Sequence, residues 1–289
     1  MIALRLWIQG ARLRTLPLSI GPVVLGSSLA HFYSSFDVLL CILAGLVSIF
    51  LQVGVNFAND YSDGIRGTDD FRVGPARLTS SGLVDASRVR QAALVALLLA
   101  VVCGLVVILI TGNWWLILVG LLSISAAWFY TGGSKPYGYA GLGEFSAFVF
   151  FGPVATLGTA FIMIGRVPPE SWPIAATAGS FAAAALLVNN IRDEETDLYA
   201  HKTTLAVRLG RYWSLRLLAA LLTVPYIILG LLSFSFLNAL FVALLFPITL
   251  AVILSCLRAS NPKQLVRGLG LISLNGILFA VALGLAIII

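Results

Sequence analysis

Val38-Leu-Leu-Cys41-Ile-Leu-Ala-Gly45-Leu-Val-Ser48-Ile-Phe-Leu-Gln52-Val-Gly54-Val runs without a break into Asn56-Phe-Ala-Asn59-Asp60-Tyr-Ser-Asp63-Gly-Ile-Arg66-Gly67-Thr-Asp69-Asp70-Phe-Arg72-Val-Gly-Pro-Ala-Arg77. The first part is uncharged and about as long as the ~20 apolar residues that cross a bilayer. The second packs four carboxylates and three arginines into one stretch of a chain that is only 10% charged. An apolar segment ending in a charged cluster reads as a membrane helix that carries a polar site at one end.

Composition extends that reading to the whole chain. Its 289 residues are 60% hydrophobic, with a mean hydropathy of +1.01, whereas soluble proteins are roughly half apolar and about a quarter charged. The apolar runs are long and unbroken, which excludes the short alternating strands of a membrane β-barrel. The expected fold class is therefore all-α and polytopic, with nine transmembrane helices at 15–33, 37–58, 91–111, 113–130, 142–164, 172–191, 214–234, 236–257 and 268–288. Short hairpins are expected at Gly112-Asn113 and Ser233–Ser235. The first apolar run is too long for a cleavable signal peptide.

Charge supplies the orientation. With nine spans, 17 of the 18 basic residues fall on the N-terminal side of the membrane and only Arg166 on the other. Basic residues collect on the cytoplasmic face, so the N-terminus is expected inside and the C-terminus outside. The same rule accounts for the net charge of +6 and removes nucleic acid as a partner; the lipid bilayer is the expected one, with no obligate protein partner. Trp114, Trp115 and Trp172 mark outer span ends, and Trp7 and Trp213 inner ones, where amphipathic rings gather. Cys41, Cys103 and Cys256 lie singly in apolar runs and read as core residues. His31 and His201 have no metal-ligand partner.

Acidic residues follow no such rule, yet ten of the twelve lie on the inner side. The second concentration is Asn189-Asn190-Ile-Arg192-Asp193-Glu194-Glu195-Thr196-Asp197, followed by Lys202 and Arg208. Asn56 and Asp60 stand 133 residues before Asn189 and Asp193. Four spans separate the copies, an even number, so the expectation is one domain over 1–289 with a parallel internal pseudo-repeat, its motifs at 56–77 and 189–210.

If each helix continues through its motif, Asn56, Asp60 and Asp63 share one face, as do Asn189, Asp193 and Asp197. A stripe of carboxylates at the end of a membrane helix requires a cation. Hard oxygen donors favour Mg²⁺, which takes one or two carboxylates and completes its shell with water and substrate phosphates. Arg66, Arg72, Arg77, Arg192, Lys202, Arg208 and Lys135 are the candidate phosphate contacts, arginine being bidentate and lysine a point charge. Asn59 belongs to the same polar set. Tyr130, Tyr137 and Tyr139, in the Gly-rich loop Tyr130–Glu144, offer aromatic faces to a substrate ring. A transporter would place ionisable groups at mid-span, and spans 3, 7, 8 and 9 have essentially none there.

With these residues in view, the chain resembles the UbiA-type intramembrane aromatic prenyltransferases over nearly its whole length. Within them it is most similar to the subgroup that prenylates 1,4-dihydroxy-2-naphthoate. The resemblance rests on Asn59-Asp-Tyr-Ser-Asp-Gly-Ile-Arg-Gly-Thr-Asp69, Arg72-Val-Gly-Pro-Ala-Arg77, Tyr130-Thr-Gly-Gly-Ser-Lys-Pro-Tyr-Gly-Tyr139 and Lys202-Thr-Thr-Leu-Ala-Val-Arg-Leu-Gly210. It implies helices around a central cavity with a cytoplasmic polar cap, an enzyme of the cell membrane, and a polyprenyl diphosphate and a dihydroxynaphthoate as substrates. It further implies loss of diphosphate and CO₂ to give demethylmenaquinone. Asp60, Asp63, Asp193 and Asp197 are implied Mg²⁺–diphosphate ligands, with Asn56 and Asn189 supporting. Arg66, Arg72, Lys135, Lys202 and Arg208 are implied diphosphate contacts. Many superfamily members carry a third aspartate where this chain has Gly67, which leaves Asp69 as the candidate substitute.

Overall fold

The structure is a computed structural model that describes residues 2–68 and 77–289, and among these every regular element is helical. A short helix α1 (Ile2–Ala11) leads into α2 (Leu16–Phe32), α3 (Val38–Ile65), α4 (Ala86–Thr111) and α5 (Leu116–Phe129). After a polar loop come α6 (Gly143–Ile164), α7 (Ser171–Tyr199), α8 (Leu205–Leu232), α9 (Leu237–Leu257) and α10 (Pro262–Ile288). Among the described residues eight helices are long and apolar enough to cross a membrane, the first counted from Leu4 through α1 and α2. The fourth expected span is the exception: α5 has 14 residues, about 21 Å at 1.5 Å per residue, against a hydrocarbon core of about 30 Å.

Several helices begin before, or end after, their apolar runs, and capping chemistry explains most of the difference. Asp85 accepts from Ser87 N at 2.8 Å, starting α4 at residue 86, five residues before hydropathy does. At α10, Asn261 and Gln264 form a capping box with Pro262 in the first turn; this arrangement satisfies the free amides of a helix start. Gly112, at φ 70°, ends α4 in the left-handed conformation that a short hairpin needs. Gly210, at φ 71° and ψ 162°, breaks the start of α8, so Leu205–Leu209 form a separate turn.

At the site end, α3 continues seven residues beyond its expected boundary and α7 eight, which carries Asn56, Asp60 and Asp63 and likewise Asn189, Asp193 and Asp197 on helix. Gly67 stops α3: it has φ 69°, its N–H reaches Gly64 O, and Thr68 N reaches Asp63 O at 3.2 Å. These are the two bonds of a Schellman ending. The i, i+4 ladder of acidic residues therefore leaves the helix at position 67.

The centre of the bundle is α7, whose most apolar window is 78% buried, against 22–56% for the other seven candidate spans. It packs on α8, α6 and α10. Small residues permit this: a Cβ on Gly179 would stand 2.6 Å from Phe148 O, and one on Gly152 would meet Ala175 O at 2.7 Å. Close backbone approach of this kind is how helices pack in lipid, where burying apolar side chains gains little. Gly152 lies in a π-helical stretch, Phe150–Leu157, that also holds Pro153, and proline within a helix displaces the regular ladder. The larger core joins α2, α6, α7, α8, α9 and α10. A smaller one, Phe57, Ala58, Leu78, Val89 and Ala93, packs Trp7 of α1 over the end of α3.

Candidate active site

The polar ends of α3 and α7 border one cavity of about 80 Å³. Its wall includes Asn59, Asp63 and Thr68 from the first motif, Asn189, Asn190, Asp193, Thr196 and Asp197 from the second, and Tyr130 and Thr131 from the third polar segment. Arg12, Arg77 and Leu186 complete the lining.

Lys202 links the two motifs. Its Nζ lies 3.4 Å from Asp63 Oδ2 and 3.9 Å from Asp197 Oδ1, and it is 7% exposed. The helix end sets this position, because Lys202 N donates to Asp197 O at 2.8 Å. Tyr139 closes the group: its hydroxyl donates to Asp63 Oδ1 at 2.6 Å, and Lys202 Nζ stands 4.6 Å from its ring centre. Burial, then the neighbouring Asp63 charge, raises the Tyr139 hydroxyl above its ordinary range, which keeps it protonated as a donor. Burial likewise raises Tyr130 and Tyr137.

The other expected site residues are placed differently. Asp60 is 1% exposed and outside the cavity lining. Its two oxygens accept from Leu78 N at 3.0 Å and Thr79 N at 2.9 Å, so it anchors the chain re-entering after the first motif. Asn56 donates to Ala11 O at 2.9 Å and so ties α3 to the end of α1. Arg192 is buried and bidentate to Asp193, at 2.7 and 2.6 Å, which engages both groups with each other. The Arg66 guanidinium donates to the carbonyls of Thr131 and Gly133 and lies 5.6 Å from the Tyr139 ring centre; it fastens the loop after α5 instead of facing the cavity. Tyr137 sends its hydroxyl away, to Ala126 O at 2.8 Å, while its ring meets that of Tyr130 edge-on at 5.6 Å.

Two further expected diphosphate contacts do not reach the cavity. Lys135 is exposed, because Pro136 and the inward Tyr137 turn the loop tip outward. Arg208 is also exposed, its Nε donating to Thr203 O at 3.1 Å, since it precedes the Gly210 break and faces the loop backbone. Asp69 and Arg72 lie outside the described residues.

Conversely, the cavity contains residues that spacing did not single out. Arg12 sits between α1 and α2 with φ 54°, a left-handed conformation rare for a residue with a β-carbon, and its Nη2 reaches Asn56 O at 3.5 Å. Its charge had been absorbed into the positive-inside count. Thr68, Thr131, Thr196 and Asn190 carry no charge and gave no pattern. Thr131 donates to Asn59 Oδ1 at 2.9 Å.

The donor set suits Mg²⁺. Carboxylate, amide and hydroxyl oxygens line the cavity, and the Lys202 ammonium already stands between one aspartate of each motif as a cation in that position. Among the described residues no three His, Cys, Asp or Glu side chains form a metal group by themselves.

Residues 19–287 match the model of the UbiA prenyltransferase family. The chain belongs to that family. It is an integral membrane enzyme, a prenyltransferase. Over 204 residues it is 51% identical to the 1,4-dihydroxy-2-naphthoate octaprenyltransferase of Mycobacterium tuberculosis, covering 71% of this chain and 70% of that one. The Escherichia coli protein of the same name is 34% identical over 240 residues, covering 81% and 78%. The fold is that of the apo UbiA homolog from Aeropyrum pernix K1, with a TM-score of 0.68 at 15% identity over 96% of this chain and 98% of that one. The UbiA homolog from Archaeoglobus fulgidus bound to DMAPP and Mg²⁺ gives 0.64 at 17% identity, with the same coverage.

Proposed function

We propose that this UbiA-family chain transfers a polyprenyl group from an allylic polyprenyl diphosphate to 1,4-dihydroxy-2-naphthoate, releasing diphosphate and CO₂ and giving demethylmenaquinol, a step of menaquinone biosynthesis. The observation that carries the reading is the oxygen-lined cavity at which Asp63 and Asp197, from two distant motifs, share one cation position. The names of the two relatives support the naphthoate acceptor, and the positive-inside asymmetry supports a site on the cytoplasmic side of the cell membrane. The whole chain, 1–289, acts as one domain built on a parallel pseudo-repeat.

Asp63, Asp193 and Asp197, with Asn59 and Asn189, would hold Mg²⁺, and Asp69 belongs to this set on sequence alone. Bound Mg²⁺ neutralises diphosphate oxygens and makes the diphosphate a better leaving group. Arg12, Arg77 and Lys202 bind the remaining phosphate oxygens and stabilise their charge as the allylic C–O bond breaks; Arg72 joins them on sequence alone. The Tyr130 ring borders the same space and can face a developing allylic cation. Leu186 and the apolar bundle beyond it keep water from that cation. The electron-rich ring then attacks the allylic carbon, and the carboxyl group leaves as CO₂.

Purified protein in detergent or nanodiscs, supplied with Mg²⁺, a polyprenyl diphosphate and either dihydroxynaphthoate or 4-hydroxybenzoate, tests this directly. The expected product is a prenylated naphthoquinol from the first acceptor. Its absence, or preference for the benzoate, overturns the reading.

A further inference from the structure

Glu144 is an acidic side chain that none of this chemistry uses. It stands in the first turn of α6 and is 5% exposed. Its Oε1 accepts from Asn190 Nδ2 at 2.8 Å, while Oε2, also buried, has no hydrogen-bond partner among the described residues. A carboxylate in such a place is costly. The positive end of the helix offsets only part of that cost, and an apolar residue would pack there without it.

The neighbours indicate what the arrangement does. Asn190 lines the cavity together with Tyr130 and Leu186. A Cβ on Gly143, next to Glu144 in the chain, would stand 3.2 Å from Tyr130 Oη and 3.1 Å from Leu186 Cδ2, so these side chains build one wall. On α7, Leu186 and Asn190 each precede an aspartate, Asp193 and Asp197, by two turns, about 10 Å along the axis. The wall is therefore deeper in the bundle than the carboxylates. A carboxylate can only accept hydrogen bonds, whereas an amide can present either its N–H or its C=O. With one Nδ2 hydrogen held by Glu144, the orientation of the amide is set and its carbonyl Oδ1 is left to accept.

We propose that Glu144 is a positioning residue for the acceptor: it fixes the Asn190 amide so that Oδ1 accepts the hydrogen of a ring hydroxyl on a phenolic acceptor. This rests on the prenyl-transfer reading above. A ring hydroxyl whose hydrogen is held this way donates more electron density to the ring, and the attacking carbon gains nucleophilicity. An amide rotated by half a turn would place N–H donors against the same oxygen and withdraw that density.

Steady-state kinetics of Glu144→Leu and Glu144→Gln in nanodiscs test the assignment. Glu144→Leu frees the amide, and the KM for dihydroxynaphthoate is expected to rise about tenfold, the size of one hydrogen bond, while the KM for polyprenyl diphosphate stays unchanged. Glu144→Gln keeps an oxygen that can accept from Asn190 Nδ2 and is expected to restore most of the acceptor affinity. Binding of 1-hydroxy-2-naphthoate, followed by tryptophan fluorescence without the diphosphate substrate, should weaken in the same order. An unchanged acceptor KM in Glu144→Leu, or equal shifts in both KM values, overturns the proposal. Should that variant fail to fold, Asn190→Leu must show the same acceptor-only defect, and an unchanged acceptor KM there overturns it equally. Wild-type protein inactive towards the naphthoate overturns the underlying reading and the proposal together. An active wild type with unshifted variants overturns the positioning role alone.

Discussion

The motifs on α3 and α7 begin with the same Asn-x-x-x-Asp step, yet their first aspartates do unlike things. Asp60 is satisfied by two backbone amides, whereas Asp193 takes both nitrogens of the Arg192 fork and remains in the cavity wall. The second aspartates, Asp63 and Asp197, converge on one ammonium. The two motifs thus agree at the position that faces the shared space and differ at the one a turn earlier.

Substitutions can break or sharpen this contrast. The largest expected effect is that of Asp193→Asn, which leaves the Arg192 guanidinium buried without its counter-charge. Losing one partner of a buried pair costs about 3–5 kcal/mol, readable as a drop in unfolding free energy in micelles. Next come Asp63→Asn and Asp197→Asn, each expected to lower kcat/KM by about 10²–10³-fold, the scale of removing one transition-state electrostatic contact, while thermal midpoints change little. Unequal losses would end the symmetry argued for the second aspartates. Asp60→Asn is expected to act on stability, by about 1–3 kcal/mol, because its new amide N–H₂ meets a backbone donor. Loss of activity with full stability would instead return Asp60 to the cavity. Tyr139→Phe removes one bond to Asp63, worth about 1 kcal/mol, and should appear as a few-fold loss of kcat/KM. Lys135→Ala is expected to be neutral within about 0.5 kcal/mol and to leave turnover near wild type.

The sequence made the membrane class and the approximate place of each span legible, because hydropathy over about 20 residues is a strong signal. It missed where α3 and α7 end, since helical hydrogen bonds continue through Asn, Asp and Ser once the chain has left the apolar run. The helix α5 begins three residues after its expected start and ends one before its expected end. Within the site, Asp63 and Asp197 were legible from helical spacing. Lys135 and Arg208 were misread, because charge and proximity in sequence do not say which way a loop turns. Arg12 was hidden by a rule that explains basic residues too easily. Glu144 and Asn190 were hidden because their meaning lies in a contact between two helices 46 residues apart in the chain.

The anchors around Asp60 and Asp63 bear on how this site can vary. Thr68 N is fixed to Asp63 O, and Leu78 N and Thr79 N to Asp60, so the chain leaves and rejoins α3 within about one turn. The closure entropy of the intervening segment depends only weakly on its length, roughly 0.6 kcal/mol per doubling. Asp60 and Asp63 thus owe their places to the bonds at residues 68, 78 and 79 and not to the length of chain between them.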